Sequence, residues 1–278
     1  MRIGVFGLGR MGAPIARALA ERWEVVSYDP VVAPGDPLAI AGTLDVLVTV
    51  LPGATEARAS MSSLLPALPP GSLWLDLTSG DPRLPRELAD LTKTQEIHVV
   101  GAPMAGGPSA AESKLLHFHV GGAPAAVARA IPILDALGTH EVIGDDPGDG
   151  YTAKLLANLL WFGQVVAVTE ALLLGQSLGL APRDLRRTLA AGAGGSVFID
   201  EYLDRLLEGD YLESFGIDRC VEELEVLAGL AAAEGIPFEL SSLVARLHRE
   251  ALERFGAIDG ELLAAKLLEQ RAGRTLRD

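Results

Sequence analysis

At 278 residues the chain is long enough for two domains, and 49% hydrophobic with 22% charged residues is the composition of a soluble globular protein. A net charge of −14 argues against nucleic acid or an anionic membrane surface as a partner. One cysteine, Cys220, rules out an internal disulfide framework and fits a cytoplasmic location, and no signal peptide is expected ahead of the first strand.

In chain order, Ile3–Phe6 reads as a short apolar strand that runs into Gly7-Leu8-Gly9-Arg10-Met11-Gly12 and then a helical pattern through Ile15 and Leu19. A second strand, Glu24–Tyr28, ends at Asp29. Strand, glycine turn, helix, strand and acid are the setting in which a GxGxxG loop binds a dinucleotide. Gly7 permits the tight turn, Gly9 lets the backbone approach a pyrophosphate, and Gly12 lets the helix pack against the sheet. Arg10 adds either a cationic contact or a solvated turn residue. Asp29 can accept from the adenosine ribose hydroxyls and would repel a 2′-phosphate, so NAD is favoured over NADP.

Val31–Pro37 reads as loop, and Leu44–Val50 as a buried strand ending in Leu51-Pro52-Gly53. Ser72–Asp76 is another strand, followed by Leu77-Thr78-Ser79-Gly80. Leu51, Pro52 and Thr78 are thus expected at the carboxyl edge of a parallel sheet, where open α/β folds bind ligands. Further strands are expected at Glu96–Val100, Leu116–Val120 and Glu141–Ile143. His117 and His119 share one strand face, but with no third ligand near in sequence they read as solvent-facing histidines, and no metal is expected.

From Gly148 a long apolar run continues to Gly179, with Pro182 beyond as a stop signal. Its charged and polar interruptions mark a buried helix and not a membrane span. Lys154 and Asn158, four apart, project from one face of its first turns. Such a pair serves as a proton-transfer group and a substrate hydrogen-bonder, or is simply a solvated lysine and a surface asparagine. Helices are then expected at Pro182–Ala191, Phe198–Leu207, Phe215–Glu234, Glu239–Phe255 and Gly260–Arg271. Their Ala/Leu-rich faces carry few charges, so a homodimer or homotetramer through the α domain is expected.

Four segments together resemble the β-hydroxyacid dehydrogenases, the family of 3-hydroxyisobutyrate dehydrogenase, with the imine reductases as relatives. They are Gly7–Gly12, Asp76-Leu77-Thr78-Ser79, Ala102-Pro103-Met104-Ala105-Gly106-Gly107, and Gly148-x-Gly150-x-x-x-Lys154-x-x-x-Asn158. The resemblance implies an α/β fold: a Rossmann domain over 1–148, joined by a long helix to an all-α domain over 149–278 like that of 6-phosphogluconate dehydrogenase. It implies an NAD-dependent oxidoreductase acting on a small β-hydroxyacid-like alcohol or carbonyl, with Lys154 as general acid–base and Asn158 holding substrate. Ala105, Gly106 and Gly107 correspond to the substrate-binding segment, but Ala105 stands where the family usually has Ser. Glu222-Glu223 aligns with a usual Lys-Asp pair. A carboxylate at Glu222 near Lys154 would hold it protonated and favour reduction; alternatively Glu222 pairs with Arg219. An imine reductase using NADPH, or a redox sensor that binds NAD without turnover, are the alternatives.

Overall fold

The structure is a computed structural model that describes residues 1–92, 95–213 and 215–277. The chain divides into two compact units, Met1–Leu155 and Leu156–Asp278.

The first unit is an α/β sheet domain. Strands β1 (Arg2–Phe6), β2 (Glu24–Tyr28), β3 (Val46–Thr49), β4 (Leu73–Asp76) and β5 (His98–Gly101) run parallel in the order β2-β1-β3-β4-β5. The order reverses between β1 and β3, which places the ends of those strands at a topological switch point. β3 and β4 are buried on both faces: Val46 and Val48 enter one core cluster and Leu47 the other. That is why both read as unbroken apolar runs. Helices α1 (Gly12–Ala20), α5 (Gly107–Ser113) and α6 (Pro124–Leu134) cover one side; α2 (Pro37–Ala41), α3 (Ala54–Leu64) and α4 (Arg83–Thr92) supply the other.

Beyond β5 the sheet changes direction. β7 (Leu116–Gly122) is antiparallel to β5 and to the two-residue β6 (Met104–Ala105), while β8 (Gly138–Gly144) runs parallel beside β7. β6 is too short to carry an alternation pattern, so it escaped the sequence reading, and β8 extends past the expected Glu141–Ile143 at both ends.

Helix α7 (Asp149–Ser177) begins in the first unit and continues into the second. By length and composition alone it is apolar enough to cross a membrane. Its Phe162, Val165, Val166 and Leu172 are instead buried in the two cores of the second unit. That unit adds α8 (Pro182–Ala190), α9 (Leu203–Leu207), α10 (Ile217–Ala233), α11 (Glu239–Phe255) and α12 (Leu263–Ala272). The single helix expected over Phe198–Leu207 is two pieces, a π-helical turn Phe198–Tyr202 and then α9. The wider turn accompanies the edge-on stacking of Phe198 and Tyr202 against Trp161, with ring centroids 5.3 and 5.0 Å away.

His248 on α11 is fully buried against Phe162, and its Nδ1 lies 2.9 Å from the Val244 carbonyl. Burial holds the imidazole neutral and lowers its pKa from the usual 6.5 to about 4. The unfolded chain takes up this proton below roughly pH 6.5, so the contribution is complete above that and is lost as pH falls towards 4. The expected loss is roughly 2 kcal/mol by pH 5. Urea denaturation at pH 7 and pH 5 measures it, and His248→Leu should flatten this part of the pH dependence. An unchanged slope in that variant would assign the effect to carboxylates instead.

Candidate functional site

The glycine loop has the geometry its residue types require. Gly7 sits at φ +94°, and a Cβ there would fall 2.2 Å from the Val50 carbonyl oxygen. A Cβ on Gly12 would fall 1.8 Å from the Gly7 carbonyl oxygen, whereas Gly9 faces open space. Gly7 and Gly12 therefore hold β1, α1 and the end of β3 together, and Gly9 leaves room for a ligand to meet the backbone. Leu8 and Met11 pack on the sheet core, and Arg10 is exposed. Asp29, just past β2, accepts from the Leu8 N–H at 2.9 Å through one oxygen and from the Val31 and Val32 N–H groups at 2.9 and 3.1 Å through the other. These amides, Leu8 first, lower its pKa below the ordinary 3.8, so Asp29 is an anion tied to the loop. The remaining lone pairs of such a carboxylate could accept from a diol, whereas its fixed negative charge would repel a phosphate.

A buried network organises the loops after β3 and β4. The Trp74 indole donates to Thr49 Oγ1 at 2.8 Å, and Thr49 donates to Asp76 Oδ1 at 2.7 Å. The Thr78 N–H also reaches Asp76 Oδ1, at 3.1 Å, and the Leu51 N–H donates to Thr78 Oγ1 at 3.1 Å. The Tyr151 hydroxyl donates to Asp76 Oδ2. Burial pushes the Asp76 carboxyl above its ordinary pKa, against the pull of these donors, and pushes the Tyr151 phenol well above 10. Asp76 thus positions Leu51, Thr78 and the first turn of α7. The sequence reading placed Thr78 at this edge and missed that Asp76 and Tyr151 hold it, because a partner 75 residues away leaves no local pattern.

The glycines around the start of α7 explain how Lys154 is placed. A Cβ on Gly150 would lie 2.1 Å from the His119 carbonyl oxygen, and one on Gly101 would lie 2.2 Å from the Pro147 carbonyl oxygen. A Cβ on Gly121 would lie 2.3 Å from the Asp146 carbonyl oxygen, and one on Gly148 would strike the Pro82 carbonyl at 2.4 Å. The helix start is therefore seated backbone-to-backbone on β5 and β7. Arg86 adds ion pairs to Asp146 and Asp149 at 2.6 and 3.3 Å. One turn later comes Lys154, whose charge acts on His119. Burial first, then His117 and Lys154, lowers the His119 pKa, with Glu141 opposing. Contrary to the sequence expectation, His117 and His119 are half-buried and not free in solvent.

Ala105 on β6 lies directly opposite His117, and Gly106 and Gly107, at φ +119° and +69°, turn the chain into α5. Both adopt the left-handed region, where a side chain is strained. In the second unit, Asn158 Nδ2 donates to Glu223 Oε2 at 2.6 Å, and Glu223 is only 5% exposed. Glu222 instead pairs with Arg219 at 2.8 Å on the half-exposed side of α10. Of the two partners expected for Glu222, Lys154 or Arg219, Arg219 is the one it holds, and the carboxylate that meets Asn158 is Glu223, about 100° further round the helix.

A glycine loop at the switch point of a parallel sheet, with an acid closing β2, defines a dinucleotide-binding protein of the Rossmann class. A family profile described as the NAD binding domain of 6-phosphogluconate dehydrogenase matches residues 2–144, and one described as the NAD-binding region of NADP-dependent 3-hydroxyisobutyrate dehydrogenase matches 148–268. The chain belongs to the β-hydroxyacid dehydrogenase family of oxidoreductases. It is 29% identical to human mitochondrial 3-hydroxyisobutyrate dehydrogenase over 89% of this chain and 80% of that one. It is 25% identical to the NAD-dependent L-serine dehydrogenase of Pseudomonas aeruginosa over 98% and 99%. The solved 3-hydroxyisobutyrate dehydrogenase of Mycobacterium tuberculosis shares the fold with a TM-score of 0.87 at 23% identity, covering 96% of this chain and 98% of that one. The imine reductase of Streptomyces aurantiacus shares it at 0.62 and 20% identity, covering 96% and 99%.

Proposed function

We propose that the protein is an NAD-dependent dehydrogenase or reductase that moves hydride between nicotinamide and a small β-hydroxyacid-like alcohol or carbonyl. The observation that carries this reading is the seating of α7. Gly148 and Gly150 bring its first turn onto the sheet, so that Lys154 emerges at a fixed place near the strand carrying His119. Bound NAD supplies the hydride acceptor or donor. Gly7, Leu8, Gly9, Arg10, Met11 and Gly12 offer the pyrophosphate a backbone cradle, Asp29 takes the ribose, and Leu51, Pro52 and Thr78 border the nicotinamide. Lys154 gives a proton to the forming alkoxide or removes it in the reverse direction. Ala105, Gly106 and Gly107 border the substrate; in the second unit Glu223 orients the amide of Asn158, the residue that the family resemblance assigns to substrate.

An imine substrate is the second reading. It is supported by Ala105, which lacks the hydroxyl a carboxylate would use, and by the buried carboxylate of Glu223, which suits a cationic group better than an anionic one. A panel of β-hydroxy acids, their aldehydes and cyclic imines, the acids with NAD and the aldehydes and imines with NADH and with NADPH, separates the two. Oxidation of a hydroxy acid supports the first reading and turnover of imines alone overturns it.

The Asp29 anion sets the expected cofactor preference. NADH should bind more tightly than NADPH by about tenfold or more, equivalent to about 1.4 kcal/mol. Fluorescence titration of both against the apoprotein measures this, and equal or reversed affinities would sink the role of Asp29. Assembly follows from the second unit, which exposes Leu160, Leu174, Leu178 and Leu240 at more than 60% each. A homodimer or larger assembly through this unit is expected in sedimentation at micromolar concentration; a lone 29.2 kDa species would refute it.

A further inference from the structure

Strand alternation puts Leu116, Phe118 and Val120 of β7 into the core and turns His117 and His119 to the opposite face. β8 runs beside it in register, pairing His117 with Thr139 and His119 with Glu141, so both partners stand on that same face. One ligand atom each from His117, His119 and Glu141 lies within 4.8 Å of the others. Thr139 Oγ1 lies 2.9 Å from His117 Nδ1, an outer contact of the kind that orients metal-ligating imidazoles. His119 Nδ1 is buried and makes no hydrogen bond. A buried imidazole nitrogen without a partner costs desolvation energy that a ligand would recover.

We propose that His117, His119 and Glu141 form a binding site for a borderline divalent transition-metal ion of the Zn²⁺ type. Two imidazoles and one carboxylate are a donor set that suits Zn²⁺, Co²⁺ or Ni²⁺, whereas Mg²⁺ and Ca²⁺ prefer oxygen alone. Zinc bonds of about 2.0–2.1 Å need ligand atoms roughly 3.4 Å apart, so the three side chains must close by an ångström or more. His117 and His119 are half-buried and Glu141 is exposed, so rotation about their side-chain bonds supplies that movement. Three protein ligands leave a further position for water. The Glu141 carboxylate offsets the positive charge of Lys154, which acts on the same ring. The sequence did not show the site because its third ligand comes from the next strand and is brought in by pairing.

The test is direct titration of the whole chain after dialysis against a chelator, with ZnCl₂ followed by calorimetry and CoCl₂ followed by visible absorption. One equivalent should bind, and Co²⁺ should give the ligand-field bands of a four- or five-coordinate ion. Glu141→Gln, an exposed position with little bearing on folding, and His117→Ala should each weaken Zn²⁺ binding by at least about tenfold. His140→Ala should leave it unchanged, since His140 contacts Asp135 instead. Thermal melting confirms that each variant is folded. No saturable binding, or parental affinity in the Glu141→Gln and His117→Ala variants, overturns the proposal. This readout is binding alone and does not depend on any substrate.

Discussion

Lys154→Ala lowers turnover by about 10²–10⁴-fold in both directions and leaves the affinity for NADH within about twofold of the parent. The asymmetry follows from where the two tasks lie. In the proposed function, dinucleotide binding rests on Gly7–Gly12 and Asp29 at the ends of β1 and β2, whereas the proton-transfer group, Lys154, belongs to the first turns of α7. Removing the side chain deletes the proton donor and acceptor without touching the loop. Lys154→Arg is the sharper variant, because a guanidinium retains the positive charge and cannot release its proton in this pH range. It should be as impaired as the alanine variant in the oxidative direction, where the group must accept a proton. Should Lys154→Arg oxidise substrate at the parental rate, Lys154 acts by charge alone and proton transfer lies elsewhere. A parallel loss of NADH affinity would instead place it at the cofactor.

What the sequence revealed depended on how local each feature is. The loop Gly7–Gly12, the closing Asp29 and the Lys154–Asn158 spacing are each specified within one strand or helix and its turn. Their positions were readable before any tertiary structure. β3 and β4 were visible for the same reason, since double-sided burial leaves a continuous apolar run. Features that need two distant segments were not. Asp76 gains its role from Thr49 and Tyr151, and the His117–His119 pair gains Glu141 only through the β7–β8 register. Glu222 was left between two readings, a carboxylate near Lys154 or a partner for Arg219, and the Arg219 pair is the one present, while the buried face of α10 carries Glu223 to Asn158.

Two glycines on α7 should respond to the same substitution with opposite signs. Gly163 has nothing within 4 Å of where a Cβ would stand, so Gly163→Ala only removes backbone freedom from the unfolded chain. It should stabilise the protein by about 0.5–1 kcal/mol and leave kcat unchanged. Gly150→Ala sets a methyl 2.1 Å from the His119 carbonyl oxygen and 3.0 Å from that of Gly101, both backbone atoms of the sheet. Contact at a normal distance requires the helix start to lift by about 1 Å, which also stretches the Tyr151–Asp76 hydrogen bond. A shift of that size at a proton-transfer group costs on the order of 10²-fold in rate. We therefore expect Gly150→Ala to lower kcat/KM about 100-fold and to lower the Tm, with NADH binding retained through the glycine loop. Calorimetric melting and steady-state kinetics on both variants decide it. If Gly150→Ala melts and turns over like the parent, α7 is not seated by its glycines, and the placement of Lys154 needs another cause.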